Sequence, residues 1–203
     1  QRGFDSIVVD VALQNAPVIF AVDRAGLVGA DGPTHHGTFD LAFMRSIPNL
    51  TIMVPRDQVM LGAMLREALT LSGPVAIRYP RDRVVKRPLS ASRPHHGRCE
   101  VLRQGSRAVV FCTGPLCYAA LEAVRDIDGV AVVDLVYAKP LDTATVRGIT
   151  AACGGRFVTV EDEAAIRAMR ELAAGSTLDR PIVAGESGAA GLAGLQAIRS
   201  NAR

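Results

Sequence analysis

Short apolar runs alternate along this chain with longer segments in which apolar residues recur every three or four positions. The runs have the length and β-branched composition of buried strands, and the segments between them have the periodicity of amphipathic helices. We predict helices over residues 4–14, 39–46, 58–71, 115–126 and 143–152, and strands over residues 18–22, 51–54, 75–78, 108–112, 130–135 and 156–160. This order predicts an α/β fold with mostly parallel sheets covered by helices.

The pattern is interrupted once, over residues 79–98, which are rich in Pro, Arg and Ser and lack long periodicity. We interpret residues 84–98 as a linker between two domains; the alternative is an irregular insertion within one domain. The prediction is therefore two three-layer αβα units, a first one over residues 1–83 and a second one over residues 99–203, with an atypical tail from about residue 163.

Composition narrows the classes of function. Apolar residues make up 49% of the chain and Trp is absent, so Val, Ala, Leu and Ile must form the core. The formal net charge of +3 is mild, and the arginines are scattered without interleaved aromatics, which is unlike a nucleic-acid surface. No apolar run approaches membrane-spanning length, and no signal peptide opens the chain. We expect a cytoplasmic protein that binds small anionic molecules, with no nucleic-acid or membrane partner.

Two further features of the chain concern its cysteines and its start. The four cysteines lack the spacings of a common zinc site or a disulfide framework, which fits a reducing compartment. The chain begins with Gln1 and reads there like the inside of a helix, so we expect an N-terminal truncation.

Chemically useful side chains are densest in residues 23–40, DRAGLVGADGPTHHGTFD, which directly follow the predicted strand over residues 18–22. The glycines allow tight turns and a close approach of the backbone to a ligand. A cation, an acid and imidazoles at the carboxyl end of a strand occupy the place where open α/β sheets bind their ligands. The alternative is an ordinary surface loop with solvated charges. We predict that this loop forms a binding or active site.

Three arginines are candidates for binding a phosphate. We predict Arg24 and Arg81 as the principal pair and Arg78 as a secondary candidate, because a guanidinium group matches phosphate oxygens in a bidentate manner that Lys cannot. The alternative is that Arg78 and Arg81 form surface ion pairs with Asp82 or Glu100.

Two further residues suit polar contacts and proton transfer. An imidazole such as that of His35 can exchange protons with an oxygen that develops charge, and Asp31 lies close to His35 in sequence. We therefore predict His35 and Asp31 as catalytic. The alternative is hydrogen bonding within the loop, since Asp31-Gly32 is also a common turn pair. We assign no function to His36 and expect Asp40 to brace the following helix.

The loop and several later segments resemble the family of 1-deoxy-D-xylulose-5-phosphate synthase, a thiamine-diphosphate enzyme of the transketolase superfamily. Besides residues 23–40, the segments are RSIP at 45–48, MVPRD at 53–57, GPVAIRYPR at 73–81, GRCEVLR at 97–103, KPLD at 139–142 and FVTVE at 157–161. The resemblance covers about residues 1–162. It implies part of the pyrimidine-binding domain followed by the transketolase C-terminal domain.

The resemblance implies a transferase that condenses pyruvate with glyceraldehyde 3-phosphate to 1-deoxy-D-xylulose 5-phosphate, for terpenoid (isoprenoid) and thiamine biosynthesis. It implies that Arg24 and Arg81 hold the phosphate of glyceraldehyde 3-phosphate, and that His35 and Asp31 face the bound intermediate and the acceptor aldehyde. It also implies a homodimer that uses thiamine diphosphate and Mg²⁺. In the family, the regions that hold and activate the cofactor lie upstream of Gln1, so we expect no cofactor-binding residues here and no activity from the chain alone.

Two alternatives for the function stay open at this point. The chain could be the β-type subunit of another thiamine-dependent 2-oxoacid enzyme, which would work with a separate chain. It could also be a non-catalytic folded remnant that serves as an interaction fragment. The loop at residues 23–40, together with RYPR at 78–81, fits the synthase better than either alternative.

The tail departs from this resemblance after Glu161. Residues 163–203 resemble instead the C-terminal part of a pyridoxal-phosphate enzyme of the diaminopropionate ammonia-lyase type. We expect these residues to be the least stable part of the chain and to bind no pyridoxal phosphate. A fusion, a gene fragment and a misassembled reading frame are all compatible with this junction.

Overall fold

The structure is a computed structural model that describes residues 3–26, 28, 31, 33–89 and 94–160. Its helices are α1 (Phe4–Ser6, continued as a π-helix over Ile7–Ala12), α2 (Asp40–Ser46), α3 (Gln58–Ala68), α4 (Leu116–Ala123) and α5 (Thr143–Ala152). Its strands are β1 (Ile19–Val22), β2 (Thr51–Met53), β3 (Val75–Arg78), β4 (Glu100–Arg103), β5 (Ala108–Cys112), β6 (Val130–Asp134), β7 (Tyr137–Lys139) and β8 (Phe157–Val160). The expectations for residues 163–203 lie outside the described residues.

The chain divides into two compact units, although not at one point in the sequence. The first unit comprises Gln1–Arg98 together with Val136–Leu141, and the second comprises Cys99–Leu135 together with the chain from Asp142 onward. Residues 84–98, which we interpreted as a linker, therefore group with the first unit. The segment Val136–Leu141 joins the first unit because β7 pairs antiparallel with β2.

A four-stranded sheet of order β1-β3-β2-β7 forms the centre of the first unit. Strands β1, β3 and β2 are parallel. Side chains alternate between the two faces of the sheet: Ile52 packs in a cluster with Ala12 and Met44, whereas its neighbour Met53 packs in a cluster with Met60. Helices α1 and α2 thus cover one face and α3 the other, which makes three layers.

Helix α3 shows how a local sequence signal fixes an element. Asp57 is its N-cap, and its carboxylate accepts hydrogen bonds from the backbone N–H groups of Val59 and Met60 at 2.9 and 2.8 Å. These bonds satisfy donors that the first turn of a helix leaves unpaired. Met60 and Met64 lie four residues apart and are buried against the sheet.

The second unit has a sheet of order β4-β6-β5-β8, in which β6, β5 and β8 are parallel and β4 runs antiparallel. Cys117 and Ala120 of α4 pack on one face of this sheet, and Val146 and Ile149 of α5 pack on the other. The predicted α/β class with mostly parallel sheets is confirmed. Within the described residues, no helix has the length and apolar character needed to cross a membrane.

Candidate functional site

The carboxyl ends of β1 and β3 bring the predicted site residues of the first unit together. The two strands are neighbours, with Val22 paired to Arg78. Pairing continues beyond them, because Tyr79 N donates to Val22 O at 2.9 Å and Ala25 N donates to Tyr79 O at 3.1 Å. The loop that follows β1 and the segment that follows β3 therefore leave the sheet side by side.

Asp31 lies between the two arginines that we predicted as a phosphate-binding pair. Arg24 Nε donates to Asp31 Oδ2 at 2.9 Å, and Arg81 Nη1 donates to the other oxygen, Oδ1. Asp31 is the most buried of the three side chains, with 18% of its surface exposed, whereas Arg24 exposes 35% and Arg81 exposes 58%. The structure thus places two guanidinium groups on the two oxygens of one partly open anion.

The same contacts set the ionisation of this cluster. The hydrogen bond from Arg81, and after it the one from Arg24, lowers the pKa of Asp31 to about 2, while the bond to Asp31 raises the pKa of Arg81. Asp31 is therefore a carboxylate at neutral pH and has no proton to donate there. In this arrangement Asp31 holds two cations.

Arg78 points away from the pair formed by Arg24 and Arg81. Its Nε donates to Asp40 Oδ1 at 2.8 Å and its Nη2 donates to Gly37 O at 3.1 Å, and the residue is only 8% exposed. This buried pair differs from the alternative of a surface ion pair with Asp82 or Glu100, and the phosphate contact of Arg78 stays a prediction. The guanidinium group of Arg78 thus binds two residues of the loop over residues 23–40.

The two histidines of the loop differ in their surroundings. His35 is exposed in the 3-10 turn Pro33–His35, and its Nδ1 lies 3.1 Å from Thr34 Oγ1. His36 is partly buried, and its Nδ1 accepts a hydrogen bond of 3.1 Å from the backbone N–H of Val28. Within the part of the chain that the structure describes, no hydrogen bond joins His35 to Asp31, and the catalytic roles of these two residues stay predictions.

Gly37, His36 and Asp40 are site residues for which the sequence analysis predicted no role in the site. Gly37 packs tightly against the backbone of Arg24 and Ala25. A Cβ on Gly37 would lie 2.4 Å from Arg24 O and 3.1 Å from the Cα of Ala25. Its N–H donates to Gly26 O at 2.9 Å. The sequence feature that could have predicted these contacts is a glycine followed three residues later by an aspartate, at the end of the loop over residues 23–40.

The described residues do not fit the metal end of a thiamine diphosphate site. Among the residues that the structure describes, no group of three or more His, Cys, Asp and Glu side chains is placed to hold a metal ion. The charged groups near Asp31 instead pair with one another: Arg24 with Asp23 and Asp31, and Arg81 with Asp31.

Comparison with known families decides the identity of the fold. Residues 1–86 match the family described as "Transketolase, pyrimidine binding domain", and residues 97–184 match "Transketolase, C-terminal domain". The chain belongs to the transketolase family. The match to the C-terminal domain continues to residue 184 and so extends past Glu161, where the sequence analysis ended the resemblance.

Two curated relatives of this transketolase-family chain carry the same name. The chain is 47% identical over 163 residues to 1-deoxy-D-xylulose-5-phosphate synthase of Thermus thermophilus, a match that covers 80% of this chain and 26% of the relative. It is 53% identical over 151 residues to the synthase of Carboxydothermus hydrogenoformans, a match that covers 70% of this chain and 24% of the relative. The predicted resemblance to this synthase is confirmed, and the chain spans about a quarter of the length of these relatives.

A solved structure shares the fold of this transketolase-family chain. It is described as "Split gene transketolase, inactive beta4 tetramer", and it superposes with a TM-score of 0.74 at 24% sequence identity. The match covers 100% of this chain and 73% of that chain. At this level of identity, the similarity shows the fold.

Proposed function

We propose that this chain is the acceptor-binding portion of a thiamine-diphosphate-dependent synthase that condenses pyruvate with glyceraldehyde 3-phosphate to 1-deoxy-D-xylulose 5-phosphate. The observation that carries the proposal is the contact of Arg24 and Arg81 with the two oxygens of Asp31. The names of the relatives support the same reaction. The proposal assigns to this chain the binding of the phosphate of glyceraldehyde 3-phosphate.

The chemistry of the arginine pair suits a phosphate. Two guanidinium groups that grip a carboxylate offer planar sets of N–H donors, which also match the oxygens of a phosphate. A phosphate dianion carries more charge than a carboxylate and has more acceptor oxygens. In the proposed mechanism it competes with Asp31 for Arg24 and Arg81, both of which are accessible from solvent.

The remaining loop residues act on the aldehyde end of the substrate. We assign to His35, which is exposed on the same loop, the transfer of a proton to the oxygen of the acceptor carbonyl as a new carbon–carbon bond forms. Asp31, once released from one arginine, accepts a hydrogen bond from a substrate hydroxyl. When it is bound in the complete enzyme, thiamine diphosphate supplies the carbanion chemistry of such enzymes. We further propose a cytoplasmic homodimer as the state of that enzyme.

A comparison of two aldehydes tests this proposal. We would titrate the chain with glyceraldehyde 3-phosphate and, in parallel, with glyceraldehyde, which is the same molecule without the phosphate, and follow the carboxyl ¹³C signal of Asp31. We expect the phosphorylated aldehyde to bind and to move the signal, and glyceraldehyde to do neither at the same concentration. Equal responses to the two aldehydes, or no response to either, would contradict the proposal and favour a folded remnant.

A further inference from the structure

An ion pair between Asp40 and Arg78 lies buried under the site loop. Asp40 is 6% exposed and Arg78 is 8% exposed, and the bond between Asp40 Oδ1 and Arg78 Nε is 2.8 Å long. Asp40 Oδ1 also accepts the backbone N–H of Leu41 at 2.7 Å. Taking two charges out of water costs free energy that their attraction often fails to return, so a buried pair is weak evidence for stability alone. Its contacts point to a second role.

Both members of this pair meet at Gly37. Arg78 Nη2 donates to Gly37 O at 3.1 Å, and a Cβ on Gly37 would lie 2.9 Å from Asp40 Oδ2. The same Cβ would lie 2.4 Å from Arg24 O, so Gly37 also packs against the backbone of Arg24. The ion pair and the backbone of Arg24 therefore both lie against one glycine.

The backbone of Arg24 has a conformation that needs such support. Its φ of 59° lies in the left-handed region, which a side chain with a Cβ rarely occupies. Strained backbone of this kind persists only where the surroundings determine it. The side chain of this residue donates to Asp31, which also accepts from Arg81.

We propose that Asp40 and Arg78 are positioning residues, which hold the Gly37 turn and through it set the backbone of Arg24, so that Arg24 and Arg81 meet at one anion. The identity of that anion as the phosphate of glyceraldehyde 3-phosphate rests on the proposed function. The positioning itself is a property of the described residues. Arg78 then acts through Arg24 and makes no contact with the ligand.

Substitutions within the intact chain test this assignment. Arg78→Met removes both bonds, Arg78→Lys keeps the charge without the planar fork, and Asp40→Asn keeps the shape without the charge. One readout is the local geometry, given by the NMR signal of Arg24 Nε–H and by the pKa of Asp31 from its carboxyl ¹³C signal, which Arg81 and Arg24 lower. The other readout is the affinity for inorganic phosphate.

We expect Arg78→Met to abolish the protection of Arg24 Nε–H from exchange and to raise the pKa of Asp31 from about 2 toward its ordinary value of 3.8. We expect phosphate affinity to fall about tenfold or more, which corresponds to the loss of one charge-assisted contact. Asp40→Asn should act in the same direction, and Arg78→Lys should give an intermediate result. If Arg78→Met does not fold, the other two variants decide.

Arg45→Met is the matched control. Arg45 lies in the same unit and donates through Nη1 to Ala138 O, away from the loop. Its loss should lower the free energy of unfolding but leave both local signals and phosphate affinity unchanged. If Arg45→Met changes the two local signals as much as Arg78→Met does, the signals report general stability. That result would overturn the assignment.

Two further outcomes would overturn the proposal. Unchanged local signals in the Arg78 variants, with weakened phosphate binding, would make Arg78 a direct ligand. Unchanged local signals with unchanged binding would leave the pair without a positioning role. If the unmodified chain binds no phosphate, the proposed function fails, while the two local signals still decide whether Asp40 and Arg78 position Arg24.

Discussion

At the scale of single residues, one carboxylate organises the site. Asp31 accepts from Arg24 at 2.9 Å and from Arg81, and these bonds lower its pKa to about 2. A group whose pKa is lower in the folded than in the unfolded chain stabilises the fold when it is ionised. Its contribution is fully present above its ordinary pKa of 3.8 and is lost as the pH falls toward 2.

This linkage gives a prediction for acid unfolding. We expect the unmodified chain to be more stable than an Asp31→Asn variant at neutral pH, and the difference between their free energies of unfolding to shrink between about pH 4 and about pH 2. Urea unfolding at several pH values measures this difference, and subtraction of the variant removes the effect of the other carboxylates. A difference that stays constant over this interval would show that Asp31 is not ionically paired.

The sequence predicted part of this residue-scale organisation. The sequence grouped Arg24 with Arg81, because both lie in segments that follow predicted strands and carry family motifs, and the structure brings the two together at Asp31. The sequence did not predict that Asp31 bridges the two arginines or that Arg78 pairs with the buried Asp40. Asp31 and Arg81 are 50 positions apart and Arg78 and Asp40 are 38 positions apart, so no local pattern records either contact.

At the scale of elements, Gly37 connects the loop to the sheet, and its lack of a side chain has a measurable consequence. Gly37→Ala places a Cβ 2.4 Å from Arg24 O, which is backbone and cannot move freely. We expect a loss of about 1–3 kcal/mol of unfolding free energy, the usual cost of overpacking. We also expect the hydrogen bond between Arg24 and Asp31 to weaken, which thermal unfolding and NMR would measure together.

Gly62 provides the matched control for this substitution. It lies inside α3, and the nearest heavy atom to an added Cβ is Arg66 Nη1 at 3.7 Å, so the methyl group has room. Gly62→Ala should therefore stabilise the chain by about 0.5–1 kcal/mol, because Ala favours a helix over Gly. Destabilisation by both substitutions to the same extent would contradict the close contact at Gly37.

Most elements were predictable from the sequence, and the two that were not share a cause. The bounds of β3, β5 and α5 agree with the predicted segments, because uniform apolar runs and helical periodicity mark them. Strands β4 and β7 were missed. They have four and three residues, mix charged with apolar side chains, and owe their strand conformation to antiparallel partners distant in sequence.

At the scale of the whole molecule, the chain spans about a quarter of the synthases that it resembles. Arg24 and Arg81 both contact Asp31. Since we propose that this chain is the acceptor-binding portion of the synthase, we predict that it does not turn over by itself. Incubation with pyruvate, glyceraldehyde 3-phosphate, thiamine diphosphate and Mg²⁺ should release carbon dioxide at the background rate, and release that depends on the chain would contradict this prediction.

The division into units was also only partly predictable. The change of composition at residues 79–98 lies between β3 and β4 in the sequence, and those residues group with the first unit. Segment Val136–Leu141 joins that unit as well, because β7 pairs with β2 and Tyr137 is fully buried there. Pairing between distant segments, rather than composition, sets these boundaries.

The central claim is that Arg24 and Arg81 bind one phosphate together, and calorimetric titration of glyceraldehyde 3-phosphate into four forms of the chain tests it most directly. The forms are the unmodified chain, Arg24→Ala, Arg81→Ala and the double variant, with Arg83→Ala as an exposed control. We predict that each single variant loses about 1.5–3 kcal/mol of binding free energy, that the double variant loses less than the sum, and that the control loses none. Strictly additive losses, or an equal loss in the control, would contradict the claim.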